Sequence, residues 1–356
     1  MHNTWSKEPI IITMHPAHHG RYSGYDRLAH YLAGHVIDPI DEISFFQRGI
    51  YWLACKALGI SWPGPAQFYA ELRAMRYVVR GSGRLVHFLY GENSHRLLAR
   101  WRKFWPKSKI ICTYHYPEGK FRQQFEACGG FPKPDLAIAV STVQLDFLRQ
   151  WLSPEQILLI PHGVDIDFFC PAPERKPSHA VRCLFVGVHL RDFATLQTLV
   201  EFFDQPNSGI EFDIVTRSAY RPRFERARNV RFLSAISDRE LLDLYQAADI
   251  FISPLLDSTA NNALLEAMAG GLPIVCTDLP GIRDYLDETC AILVPKADAD
   301  SMIEAVSTLA EDPECRSKMA RASRVKALTF SWSSVASQLQ QVYREQLNDV
   351  SPMECQ

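Results

Sequence analysis

Along this chain, short runs of aliphatic and β-branched residues alternate with longer stretches in which apolar positions recur every three or four residues. The runs predict strands at 10–14, 85–90, 109–114, 135–140 and 157–160 in the front half. In the back half they predict strands at 183–188, 211–216, 230–233, 250–254, 273–277 and 291–294. Helical patterns fill the intervals, one of them opening at a capping box formed by Ser237 and Glu240. Alternation of this kind is the signature of an α/β protein with parallel sheets. Residues 170–180, CPAPERKPSHA, hold three prolines and no apolar period, which reads as a linker. The expected organisation is a first domain over 1–170, a linker over 171–180, a second domain over 181–330 and a closing helix over 331–350. Open parallel sheets bind ligands beyond the carboxyl ends of their strands, so two such domains facing a cleft would carry their functional residues in strand-end loops.

Composition narrows the class. The 356 residues are 47% hydrophobic and 22% charged, which excludes collagen, long disorder and coiled coil. The net charge of −2 is unlike a nucleic-acid binder, and no nucleic acid is expected as a partner. Yet residues 1–170 carry 19 Lys and Arg against 14 Asp and Glu, while the remainder carries 19 against 26. Ten of the 12 histidines also lie in the front half, so a polyanionic surface suits that half. Nine scattered cysteines, odd in number and without a C-x-x-C pair, point to reduced thiols and a cytoplasmic protein. The apolar run near Ile10 is too short for a signal peptide, and no stretch approaches the ~20 apolar residues of a membrane span.

The first strand-end loop, HPAHHGRYSGYDR, brings His18, His19 and Arg21 to the ligand edge, where acceptor contacts are expected. Gly24 allows close backbone approach, and the amides that follow offer an anion site. A zinc site built from His15, His18 and His19 lacks a fixed helical pair, and no metal is expected. At the next prominent strand end, TYHYPEGK sets His115 and Tyr116 on the same edge. In the back half, Gly187 closes a strand and Arg191 follows, able to grip a diphosphate bidentately; Arg217 is a second cation directly after a strand. The strongest signal is SPLLDSTANNALLEAMAGGLPIVCTD, from Ser253 to Asp278. Its loop carries Asp257, Ser258 and Thr259, and a helix opening near Asn261 offers amides to phosphate oxygens. Glu266, flanked by apolar residues, could accept hydrogen bonds from a ribose diol.

At this segment the chain resembles the glycosyl-transferase group 1 domain of retaining family 4 glycosyltransferases, which have the two-Rossmann GT-B architecture. The resemblance runs through TYHYPEG, DLAIAVS, IPHGVDIDFFCP, FVG, LYQAADIFISP, LLEAMAGGLPIV and FSWSSVASQL. It implies a nucleotide-diphosphate sugar as donor, held mainly by the second domain, a glycan, glycolipid or other hydroxyl acceptor on the first, and no cofactor. By position it implies that Glu266 is the ribose-binding second Glu of the E-x7-E motif. Thr259, Ala260, Asn261 and Asn262 match the phosphate turn. His115 matches the His that touches the donor sugar, and Gly24 and Tyr25 match the glycine loop. The sequence departs from the pattern twice. Ser258 stands where the first Glu belongs, with Asp257 the nearest carboxylate, and Val188 stands in the usual Arg position, leaving Arg191 and Arg217 as substitutes. The catalytic candidates are therefore His115, Asp257 and Ser258. The departure at Ser258 keeps open a second reading, a non-catalytic GT-B scaffold that binds nucleotide or glycan.

On the acceptor side, a long insertion beginning FFQRGIYWLACK and the segment HRLLARWRKFWPKSK mix aromatic and basic residues at helical spacing. Two readings stand: an anionic membrane surface as partner, with a peripheral location on the inner face, or ordinary amphipathic helices packing their Trp inward.

Overall fold

A computed structural model describes residues 8–14, 20–40, 42–60, 62–80, 83–127, 130–173 and 180–348. Within them all eleven expected strands form and one more joins. In the front half they are β1 (Ile10–Ile12), β2 (His35–Ile37), β3 (Leu85–Phe88), β4 (Lys109–Tyr114), β5 (Leu136–Ala139) and β6 (Ile157–Leu159). In the back half they are β7 (Val181–Val186), β8 (Ile210–Val215), β9 (Val230–Leu233), β10 (Ile250–Ser253), β11 (Ile274–Thr277) and β12 (Ala291–Val294). The added strand, β2, is three residues long and lies at the sheet edge with its first residue exposed, so it has no alternating or continuous apolar run to announce it. The amides that follow Gly24 lie in a 3-10 helix over Tyr25–Tyr31.

Both sheets are parallel throughout. The first has the order β2-β1-β3-β4-β5-β6, so its topological switch point lies between β1 and β3. The second has the order β12-β11-β10-β7-β8-β9, the doubly wound dinucleotide-fold order, with its switch point between β7 and β10. Strands β3, β5, β10 and β11 are buried at every position, which is why they read as near-continuous apolar runs, interrupted by His87 in β3 and closed by Ser253 in β10 and Thr277 in β11.

The chain divides into two compact units. The first holds Tyr25–His162, the N-terminal strand, and Ser333–Asn348. Within it, Val335, Leu339 and Tyr343 of the closing helix are buried, and the Tyr343 hydroxyl meets Nδ1 of buried His87, whose Nε2 pairs with Thr113 Oγ1 at 2.8 Å. The second unit holds Gly163–Trp332 and also Gly20–Gly24. Residues 163–170, expected with the first domain, thus pack with the second. Phe169 sits in its core with its ring 5.7 Å from that of Tyr245, and Arg324 donates to the carbonyls of Ile166 and Phe169. Gly163 is required there, because a Cβ would come within 2.3 Å of the Trp332 ring. Of the expected linker, residues 174–179 lie outside the described residues.

Candidate functional site

In the second unit the polar groups converge at the β7/β10 switch point. Strand β7 ends at Val186, and Gly187 follows with φ +121°. A Cβ at Gly187 would lie 2.6 Å from Arg191 Nη2, so the guanidinium that folds back over it would have to move, and the positive φ itself favours glycine. Arg191 donates through Nε and Nη2 to the Val186 carbonyl at 3.2 and 3.1 Å, through Nη1 to the His189 carbonyl at 3.2 Å, and through Nη2 to Asn261 Oδ1 at 3.0 Å. Desolvation lowers its pKa to about 10, which leaves it charged at neutral pH.

Asn261 is the N-cap of helix Asn262–Ala269, and its Oδ1 also accepts from Leu264 N at 3.4 Å. Its Nδ2 is buried and has no hydrogen-bond partner among the described residues. The group thus presents a cation, a helix N-terminus and an unused amide donor together. The loop before it is held by local hydrogen bonds. Asp257 is exposed and its carboxylate accepts from Ser258 N at 2.8 Å, while buried Ser258 donates to the Thr259 carbonyl at 3.3 Å. Thr259 is buried, and Ala260 and Asn262 are half-buried. Arg217 is exposed at the N-cap of the 3-10 helix Ser218–Arg223 and shares no hydrogen bond with the Arg191–Asn261 group.

Glu266 is 4% exposed and both of its oxygens are occupied. Oε1 accepts from the Ser23 hydroxyl at 2.5 Å and Oε2 from the Tyr245 hydroxyl at 2.9 Å. Burial pushes its pKa up, and the two hydroxyls oppose that rise. Ser23 belongs to the loop Gly20–Gly24, which counts with this unit. The loop is fixed by Arg21 N donating to Asp238 Oδ2 at 2.8 Å and by the Tyr22 ring stacked 3.7 Å from Phe168. The Arg21 side chain is exposed, and Gly24 is buried with φ +95°. Tyr25, expected on the donor side beside Gly24, counts instead with the first unit.

In the first unit, His115 follows β4 and its Nδ1 lies 3.2 Å from Oε1 of the buried Glu92. Tyr25 and Tyr90 flank the imidazole with ring centroids at 4.6 and 4.8 Å. Tyr25 N donates to the Tyr90 hydroxyl at 3.1 Å, and burial holds both phenols well above their ordinary pKa. Tyr116 is half-buried with Lys120 Nζ 4.3 Å over its ring, and burial followed by the Glu92 charge pushes its pKa up to about 12. At the β1/β3 switch point lies a small hollow of about 10 Å³, room for about one water, lined by Thr13, Met14, Gln67, Tyr90, Asn93 and Ser94 among others. His18 and His19 lie outside the described residues. Among the described residues no group of three or more His, Cys, Asp or Glu is placed to hold a metal ion.

The sequence reading missed Tyr245 and Ser23 as the partners of Glu266, and Glu92 and Tyr90 around His115. The first omission had a signal: a carboxylate inside LLEAM needs donors, and such donors come from elements distant in sequence.

Residues 180–312 match the family glycosyl transferases group 1. Among curated proteins, the chain is 27% identical over 264 residues to the MMP alpha-(1->4)-mannosyltransferase of Mycolicibacterium hassiacum, covering 71% of this chain and 62% of the relative. It is 30% identical over 224 residues to the phosphatidyl-myo-inositol mannosyltransferase of Mycolicibacterium smegmatis, covering 58% and 56%. The chain therefore spans less than two thirds of the length of these relatives. Among solved structures, the sucrose-phosphate synthase of Thermosynechococcus elongatus superposes with a TM-score of 0.70 at 22% identity, over 97% of this chain and 100% of that one, a likeness of fold. The two doubly wound sheets thus have the GT-B fold, and within the second unit residues 180–312 are similar to the glycosyl transferases group 1 family.

Proposed function

We propose that the chain is a glycosyltransferase, moving a sugar from a nucleotide-diphosphate sugar held by the second unit to a hydroxyl of a glycan or lipid-linked acceptor handled by the first. The observation that carries this is the Arg191–Asn261 group, a half-buried cation joined to a helix N-terminus with one amide donor unused. When a nucleoside diphosphate leaves an anomeric carbon, negative charge gathers on its phosphates. Donors fixed in advance around that charge stabilise the transition state more than the ground state. Arg191, the Asn261 Nδ2 and the first amides of helix Asn262–Ala269 are such donors. Glu266 is the acceptor for a ribose diol, a role that requires the Ser23 hydroxyl to yield its place on Oε1. His115, held by Glu92, serves the transferred sugar.

The reaction proceeds with retention and without a bound metal or cofactor, the leaving phosphate itself assisting deprotonation of the acceptor. The lipid-linked acceptor is supported by the name of the M. smegmatis relative, which is a phosphatidyl-myo-inositol mannosyltransferase, and by the basic front half. The protein acts from the cytoplasm. No helix among the described residues is long and apolar enough to cross a membrane. Incubating the protein with UDP-, GDP-, ADP- and dTDP-sugars, with and without candidate acceptors, tests the reading. One donor should release its nucleotide and leave a product of unchanged anomeric configuration; binding without release would favour the scaffold reading that Ser258, in the place of a Glu, keeps open.

A further inference from the structure

Two helices fill the interval between β2 and β3: α1 (Phe45–Leu58) and α2 (Pro65–Arg80). Helix α1 is well formed, with a capping box in which Gln47 N donates to Ser44 Oγ at 3.2 Å and Ser44 N donates to Gln47 Oε1 at 2.9 Å. It ends at Gly59 in the left-handed conformation, φ +62°. Its inner side, Tyr51, Ala54, Cys55 and Leu58, packs on a small core of Trp62, Phe68 and Leu97. Its outer side is also apolar. Phe45 is 93% exposed, Phe46 75%, and Trp52 and Leu53 60% each, with Ile50 beside them. At 100° per residue these positions fall on one continuous face. A run of large apolar side chains this exposed marks a binding surface rather than a solvated helix.

The charge around that face identifies what it binds. Residues 45–109 contain 12 Lys and Arg and two carboxylates, and those two, Glu71 and Glu92, are 0% and 1% exposed. No acid of this stretch reaches the surface; the nearest exposed carboxylate upstream is Glu42. The cations flank aromatic rings: Lys56 Nζ lies 5.2 Å over Trp52, and Lys103 Nζ 5.3 Å over Phe104, itself 63% exposed. Trp101, three residues before Phe104, packs on the same small core as α1, so one foundation supports both exposed segments. Apolar side chains between cations with long flexible stems are the pattern of a helix lying in an interface, with rings among acyl chains and ammonium groups at headgroup phosphates. The same face of a second copy would bring like charges together.

We propose that α1, with the 100–107 segment beside it, docks the first unit flat on a membrane surface of anionic lipids. This deepens the acceptor side of the function proposed above, and its test contains no nucleotide, so either can fail without the other. The full chain is sedimented with vesicles of phosphatidylcholine alone and with vesicles that also contain phosphatidylglycerol, at low and high salt. The protein should pellet with the anionic vesicles, lose most of that binding at high salt, and stay in solution with the neutral ones. The double variant Phe46→Ser, Trp52→Ser changes only exposed positions, so its melting temperature should match the parent's while its vesicle binding falls at least tenfold. The proposal is overturned if the parent ignores anionic vesicles or if the double variant binds them equally well. It is equally overturned if sedimentation velocity shows the parent to be a dimer that the double variant dissolves, since the occupant of the face is then a second copy.

Discussion

Asn261 is the residue through which the second unit's site can be tested for stability and for binding separately. Its Oδ1 accepts from both Leu264 N and Arg191 Nη2. Asn261→Ala deletes both bonds: losing an N-cap costs about 1 kcal/mol, and losing a hydrogen bond to a charged group about 1.5 kcal/mol at the low end of its range. The low end applies because Arg191 keeps partial contact with solvent. The sum, about 2.5 kcal/mol, corresponds to a fall of about 5–10 °C in melting temperature for a unit of this size. Asn261→Asp keeps the acceptor at both positions and adds a negative charge beside Arg191. It should melt within about 2 °C of the parent and yet bind nucleoside diphosphate poorly, because its carboxylate occupies the cation meant for phosphate. Scanning calorimetry with and without nucleoside diphosphate measures both quantities. If Asn261→Ala melts like the parent, the pairing with Arg191 contributes nothing and the reasoning fails; equal binding by Asn261→Asp would remove Arg191 from the phosphate site.

Other consequences follow from single groups. Gly187→Ala forces a Cβ into the Arg191 guanidinium at a backbone angle that favours glycine, and should cost about 1–3 kcal/mol in urea unfolding while weakening nucleotide binding. Glu71, wholly buried between Trp62 Nε1 and Leu98 N, has its pKa raised by burial from 4.5 to about 7. A raised carboxyl pKa adds stability that is fully present below pH 4.5 and is lost as pH climbs to 7. The loss is on the order of 3 kcal/mol, and Glu71→Gln should abolish that slope in pH-dependent denaturation. Burial holds His87 neutral with its pKa lowered from 6.5 to about 3, so its contribution runs the other way. Its share of stability is present above pH 6.5 and lost as pH falls towards 3, and His87→Gln should melt with a shallower acid limb than the parent. Ser23→Ala frees Glu266 Oε1 and should strengthen binding of nucleotides that carry a ribose diol without changing that of 2′-deoxy, 3′-deoxy analogues, as read by titration calorimetry.

Much of the architecture was legible because parallel strands buried on both faces carry near-continuous apolar runs, as in IFIS and IVCT of β10 and β11. Strand β2 was not, since three residues at an exposed edge hold no such run. Gly187, Arg191 and Asn261 could be placed at one edge because each stands directly after a strand or before a helix. Their mutual hydrogen bonds could not be read, because they depend on the order β10-β7, which pairs strands more than 60 residues apart. For the same reason the partners of Glu266 were hidden: Ser23 lies 243 residues away and Tyr245 lies 21 away, on another helix. The exposure of α1 was hidden too, since a helix apolar on both sides gives no periodicity to say which side is covered.

The central claim is that the Arg191–Asn261 group holds the diphosphate of a nucleotide-sugar donor. Titration calorimetry of the parent and of Arg191→Gln with a matched nucleoside diphosphate and nucleoside tests it most directly. The parent should bind the diphosphate far more tightly than the nucleoside, and the variant should lose about tenfold or more for the diphosphate while its affinity for the nucleoside stays unchanged. A variant that binds the diphosphate as well as the parent does, or that loses both ligands equally, would contradict the claim.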